Sequence, residues 1–335
     1  MRRHLLPLIL IPAALMAQQP KPIVLKPANG TLRDPVALGF VRELRDGRIL
    51  AASPAGVVVA DFVAGTAHVV PDVPSRGTFV PLGGDSTLVQ VRTNGWYFLD
   101  GDKLIGMLPL TNKVVAMMSP GQPMSADARG FVITVTGGQP ASDSATVLQI
   151  HRTTGEQSLV TRVWQGTPVM GGIPAPVYVV NEEPVLALDG WVAVVRAHPY
   201  RVDWRNPAGQ WLRGAPLPVP AIALDAREQA AYWQSWGQAG PITDAHIDWP
   251  KFVEPFTYPQ PIATPDGKLL VKRTATADAP GIRYDVINRR GELEGQFTLA
   301  GLHDRIAGFG AHSIYLLTVD AGKSRIGQLE RHPWP

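Results

Sequence analysis

The stretch Tyr258-Pro259-Gln260-Pro261-Ile262-Ala263-Thr264-Pro265-Asp266-Gly267-Lys268-Leu269-Leu270-Val271-Lys272, continued after a polar loop by Tyr284-Asp285-Val286-Ile287-Asn288-Arg289-Arg290-Gly291 and Glu292 to Leu299, decides the fold. Pro259 to Ala263 predicts a short innermost strand, and Asp266-Gly267 a tight turn into Lys268 to Lys272. Tyr284 to Asn288 predicts a third strand, and Arg289-Arg290-Gly291 turns it into a fourth, Glu292 to Leu299. In that last run Leu293, Phe297 and Leu299 fall on one face and Glu292, Glu294, Gln296 and Thr298 on the other. That is the period of a half-buried strand. Four short strands joined by such turns make one sheet, the size of a single propeller blade.

The same grammar recurs along the chain. A glycine opens the fourth strand of each unit: Gly65 after Val57 to Phe62, Gly101 after Trp96 to Leu99, Gly155 after Val147 to His151, Gly209 after Tyr200 to Trp204, and then Gly291. The spacings are 36, 54, 54 and 82 residues, so the unit is of blade length, with one insertion before the fifth. Asp46-Gly47-Arg48-Ile49-Leu50 echoes Asp266-Gly267-Lys268-Leu269-Leu270, and second strands are expected near Asp85 to Val89, Arg129 to Ile133 and Asp189 to Ala193. A sixth unit has three strands, Ile306 to Phe309, Ser313 to Thr318 and Arg325 to Leu329, and then the chain ends. An open sheet edge is a liability. Ile23-Val24-Leu25 is a spare strand, and it is expected to close the last blade. The sequence therefore predicts an all-β fold, one six-bladed β-propeller over 18–335, with a helical insertion between blades four and five.

That insertion runs from Pro216 to Pro255. Pro216, Pro218 and Pro220 predict an extended segment poor in donors. Asp225 and Glu228 form a capping-box variant, followed by Ala226, Ala230 and Trp233 at helical spacing until Gly237.

The 335 residues include 45% hydrophobic and 18% charged residues, which supports a large core and argues against disorder. At the N-terminus Arg2, Arg3 and His4 precede an apolar run from Leu5 to Met16 and a small residue, Ala17. This reads as a signal peptide over 1–17 rather than a membrane anchor, since the run is short of the roughly 20 residues needed to span a bilayer. Without Arg2 and Arg3, 29 basic residues face 28 acidic ones. The basic balance of the full chain thus carries no case for a nucleic-acid partner. With no cysteine there is no disulfide, thiolate metal site or thiol nucleophile. The expectation is a monomer released into a periplasm or medium, with no membrane span after the signal.

The Asp46 to Leu50 segment, Tyr200-Arg201-Val202-Asp203-Trp204 with its Pro207 to Gly209 turn, and Tyr284 to Asn288 with Gly291 together resemble exported bacterial six-bladed propellers of the NHL-like and TolB-like type. The resemblance covers Lys21 to Trp334. It implies fold and address, because these motifs specify blades rather than chemistry.

No Gly-x-Ser-x-Gly elbow, phosphate loop or His-Glu-x-x-His helix is present. Three polar or aromatic groups remain. Asp244, His246 and Asp248 alternate along an extended segment, a spacing that can hold a divalent cation but also arises in ordinary loops. Asn181-Glu182-Glu183 precedes an inner strand. Calcium-dependent lactonases built on six-bladed propellers carry Glu, Asn and Asp at the channel mouth, which makes Glu182 and Asp248 the candidate metal ligands. Trp233, Trp236 and Trp249 can stack on a sugar or anchor a partner from the insertion, or simply pin it to its scaffold. Arg201 and Asp203 alternate with Tyr200, Val202 and Trp204, so a structural salt bridge is expected there. The functional expectation is a binding or interaction module for a protein, peptide or glycan. The alternative is a calcium-dependent, lactonase-like hydrolase.

Overall fold

The computed structural model of the chain describes residues 21–33, 40–53, 56–73, 77–82, 84–91, 95–107, 124–126, 130–136, 144–151, 156–164, 182–235, 249–256, 261–301, 304–319 and 326–335. The fifth unit is four antiparallel strands in sequence order, Ile262–Ala263, Leu269–Lys272, Arg283–Ile287 and Leu293–Thr298. Tyr258, Pro259 and Gln260 lie outside the described residues. Along the fourth strand Gly295, Phe297 and Leu299 are buried and Thr298 is exposed, so the alternation holds from Gly295 onward. A bulge at Glu294 sets Leu293 opposite Ile287 and turns it to the wall with unit four, so it does not share the face of Phe297 and Leu299 as expected. Gly291, at φ 76°, occupies the left-handed turn conformation that made it a marker.

Among the described residues, five further units repeat the plan. Unit one is Val41–Glu43, Ile49–Ser53, Gly56–Asp61 and Thr66–Val69. Unit two is Gly77–Pro81, Ser86–Val91, Gly95–Asp100 and Lys103–Met107. Unit three is Met124–Ala126, Gly130–Thr136, Ser144–His151 and Gln157–Trp164, and unit four is Glu183–Leu186, Val192–Arg196, Arg201–Arg205 and Trp211–Leu212. Unit six contributes Arg305–Phe309, Ser313–Val319 and Ile326–Pro333. First strands of neighbouring units meet in the order two, three, four, five, and the first strand of unit six pairs in parallel with that of unit one, Gly308 opposite Val41. Sheets side by side in sequence order, touching along their first strands and returning to the start, are a β-propeller.

The core is divided among the walls between units. Leu44, Leu50, Val57 and Val59 meet Val89 and Leu99 between units one and two. Between four and five, Val195, Val202 and Trp204 meet Leu269, Val271 and Ile287. Between six and one, Leu32, Tyr315, Leu317 and Leu329 meet Val41, Ile49 and Ala51. Because both faces of the inner strands are covered this way, they read as nearly continuous apolar runs such as Ile49-Leu50-Ala51 and Leu269-Leu270-Val271.

The expected closing strand needs correction. Lys21–Ile23 pairs in parallel with the fourth strand of unit five, Lys21 opposite Gly295 and Ile23 opposite Phe297, and adds a fifth strand there. The last unit is completed instead by Gly30–Arg33, antiparallel to Ile326–Pro333, with Leu32 opposite Leu329. The physical reason is local. Ile23 and Leu25 find their apolar partners in the wall between units five and six, beside Phe297 and Trp334, and Gly295 allows the approach, since a Cβ there would stand 2.7 Å from the Lys21 carbonyl oxygen.

In the insertion the helix is Ala226–Ser235. The Glu228 amide donates to the Asp225 carboxylate at 2.9 Å, as an N-cap requires. The capping box is only half made, because the Glu228 carboxylate turns away and accepts the Ala277 amide at 2.9 Å. A two-stranded ribbon, Ile222–Ala223 with Phe252–Val253, ties the two ends of the insertion together. Both runs are too short to be recognised in the sequence. Among the described residues no helix is long and apolar enough to cross a membrane.

Candidate functional site

The antiparallel register fixes which strand ends lie together. Glu183 opposes Val195, Arg196 opposes Arg201, and Lys272 opposes Tyr284. The start of the first strand, the end of the second and the start of the third therefore share one end of each sheet. The insertion leaves from this same end. After the fourth strand of unit four the Gly214 amide reaches Asp203 and the Leu217 amide donates to the Tyr200 carbonyl at 2.9 Å. The helix then docks on the 274–282 loop of unit five through Glu228 with Ala277 and an Arg227–Asp278 ion pair.

Beneath that docking, the wall between units four and five carries a buried polar group. Asp285 is fully buried, and the Tyr200 hydroxyl donates to its Oδ2 at 2.9 Å. Gln296 Nε2 donates to Oδ1 at 3.0 Å, and the Arg273 guanidinium lies 3.4 Å from both oxygens. Arg273 also donates through Nε to the Pro255 carbonyl at 2.9 Å, and Thr274 Oγ1 donates to the Glu254 carbonyl at 2.7 Å. The base of the insertion is thus fastened to unit five in part by Arg273, the residue that also neutralises Asp285. Burial raises the Tyr200 phenol well above its ordinary range, and the adjacent Asp285 adds to that, so the group is a neutral donor at any ordinary pH.

At the rim, His198 Nδ1 lies 3.3 Å from Glu254 Oε1, and the His198 ring stands edge-on to Trp164 at 5.5 Å. Desolvation raises the Glu254 carboxyl, while His198 pulls it back. Arg283, on the same face as Asp285, is lowered chiefly by burial and further by Arg273, with Asp285 opposing. Lys272 is lowered by burial on the face turned to unit six.

The residues proposed from the sequence are dispersed or outside view. Trp236, Asp244, His246 and Asp248 lie outside the described residues, as do the 1–17 segment and Asn181. Trp233 is in the helix Ala226–Ser235, and Trp249 is half-buried where the chain returns toward the ribbon. Glu182 is placed at the expected end of its inner strand, with its oxygens in use. Oε2 accepts from Arg196 at 2.7 Å and from the Trp164 amide at 3.0 Å, and Oε1 from the Ala197 amide at 3.3 Å. It bridges units three and four. Arg201 and Asp203 form the expected pair at 3.0 Å, but Asp203 is buried and also takes Arg196 at 3.1 Å, so the pair belongs to that wall rather than to an open blade surface. Among the described residues no group of three or more His, Asp or Glu side chains is placed to hold a metal ion.

Sequence reasoning missed Asp285, and it named Glu183 only within the Asn181-Glu182-Glu183 triplet, with Glu182 taken as the candidate ligand. The signal for Asp285 was a charge inside Tyr284-Asp285-Val286-Ile287, on the face that Ile287 gives to the core. Glu183 differs from Glu182 only by pointing to the other face of its strand.

No known family profile matches the chain, and no curated protein matches it. Among solved structures, a calcium-binding protein, regucalcin, from Agrobacterium tumefaciens aligns over 95% of this chain and 97% of its own at 11% identity, with a TM-score of 0.49. TolB from Acinetobacter baumannii aligns over 77% of this chain at 15% identity and a TM-score of 0.41, the alignment covering 56% of TolB. Streptogramin B lyase aligns over 91% of this chain and 86% of its own at 11% identity, with a TM-score of 0.42. These are likenesses at identities too low for any role to pass from those proteins to this chain.

Proposed function

We propose that the chain is an exported, six-bladed propeller that serves as a binding or interaction module, with its site on the face where the 216–255 insertion crosses from unit four to unit five. The observation that supports this is the docking of the insertion. Its helix, which carries Trp233, is held to the 274–282 loop by Glu228 and Arg227, and the base of the insertion by Arg273 and Thr274, so the helix is fastened at a defined place on the ring. Sites carried on a scaffold in this way bind through a few anchored aromatic side chains. The partner class is a protein, a peptide or a glycan, bound by a monomer.

The test is retention on peptide and glycan arrays by the purified protein and by the Trp233→Ala and Trp236→Ala variants. A ligand held by the protein and lost by the variants supports the reading; equal retention moves the site off the insertion. The alternative, a calcium-dependent hydrolase using Glu182 and Asp248, is separated by thermal melts with calcium and with chelator. An ion that binds only the folded state raises the midpoint, by about 2.7 kcal/mol of stabilisation at a hundred times its dissociation constant. A calcium shift abolished by Glu182→Ala or Asp248→Ala would replace the binding reading with the enzymatic one.

A further inference from the structure

Glu183 opens the first strand of unit four and shares a face with Val185, which packs against the cluster of Val195, Val202 and Leu269. Its side chain is therefore directed to the wall between units four and five, at the end from which the insertion leaves. Its Oε2 is closed off from solvent and meets no hydrogen-bond donor among the described residues. No cation among the described residues bonds it, although the Arg283 Nε in the same wall is also buried without a partner. Arg196 lies on the opposite face with Glu182 and Asp203. Arg273 holds Asp285 and the Pro255 carbonyl, Lys272 faces unit six, and Arg283 stands beside Arg273 on the third strand of unit five. Val195 across the strand offers only methyl groups. A buried acceptor left without a donor costs about 1–3 kcal/mol, and a neutral residue of the same size would satisfy the packing. Retention of an acid here calls for a donor that the described chain does not supply.

We propose that Glu183 is the acceptor of a ligand site at the inner mouth between units four and five, and that it takes a protonated primary amine, presented by a lysine-type side chain or by a chain's amino terminus. The proposal rests on the binding reading above and specifies its chemistry. An ammonium group suits the geometry because it brings up to three donors and one positive charge to a single carboxylate. Calcium does not, since it asks for six to eight oxygens and Glu183 offers two.

The experiment uses the purified protein and its Glu183→Gln variant, with ligand-observed NMR saturation transfer. The probes are butylammonium, butanol and calcium chloride, followed by an acetylated tripeptide amide carrying one lysine and a triglycine amide with a free amino terminus. The expected result is a saturable butylammonium signal that weakens at least about tenfold in the variant, equivalent to about 1.4 kcal/mol, with none from butanol. The two peptides then distinguish a side-chain amine from a terminal one. An unchanged butylammonium signal in the variant, an equal signal from butanol, or no saturable signal overturns the proposal. Displacement of the amine by calcium would reassign the site to a metal. If array binding survives Glu183→Gln but falls in Trp233→Ala, the binding reading stands and only the amine site is lost; if neither variant changes it, both fall.

Discussion

Asp285 shows what a single hydroxyl does in a wall between two sheets. Tyr200 reaches it from unit four, while Arg273 and Gln296 reach it from unit five. Tyr200→Phe keeps the ring stack on Phe256 at 5.1 Å and removes only the donor. The expected loss is about 1–2 kcal/mol, read as a lower urea midpoint with an unchanged slope. Asp285→Ala should cost more, about 3–5 kcal/mol, because it strands the Arg273 charge. Glu183 gives the opposite sign. Burial raises its carboxyl from 4.5 to about 7. Below the unfolded value the group is protonated in both states and costs nothing. Between 4.5 and about 7 the unfolded chain ionises while the folded one keeps its proton, so stability falls across that window and levels off above it. Wild-type protein should therefore lose about 1–3 kcal/mol between pH 4.5 and 8 that Glu183→Gln does not lose; equal pH profiles for the two would place the charge elsewhere. In the sequence Asp285 stood out only as a charge inside an apolar strand and Glu183 only as one of an acidic triplet, because facing depends on register across a wall, and register was legible only for residues within one strand.

At the scale of elements, turn glycines and alternation located the strands, as in Gly291 and the run to Leu299. Pairing between distant segments was less legible. Ile23-Val24-Leu25 is more apolar than Gly30-Thr31-Leu32-Arg33, so hydropathy favoured the wrong closing strand; the deciding features are the bare backbone of Gly295 and the Leu32–Leu329 contact. The two strands should separate experimentally. Gly295→Val places a side chain against Lys21 and should dislodge Lys21–Ile23 while the last unit stays closed, with a loss of about 1–3 kcal/mol. Deleting 29–33 uncovers Ile326–Pro333 and should abolish a cooperative melt or cause aggregation. Similar melts for both variants would contradict this division of labour. The helix illustrates the same limit: Asp225 caps as its position predicts, but the partner of Glu228 is Ala277, far along the chain.

For the molecule as a whole, the repeat length set the propeller class, and the apolar inner strands set where the core would lie. The site was less accessible, because its chemistry comes from meetings between units, such as Tyr200 with Asp285, and not from any motif along one strand. The proposed export is tested on the whole chain too: native protein should begin near Gln18 in mass spectrometry, and retention of Met1 would refute it.

The strand that completes the last unit is far in sequence from its partner, Gly30 opposite Arg331. During translation that segment has no partner until Ile326–Pro333 has left the ribosome. Nascent units can form their own hairpins early, but the ring itself closes only once that strand has emerged. A chain stopped before Ile326 carries an open edge at both ends, which makes truncated products of this protein a substrate for holding chaperones or proteases rather than a shorter version of the same fold.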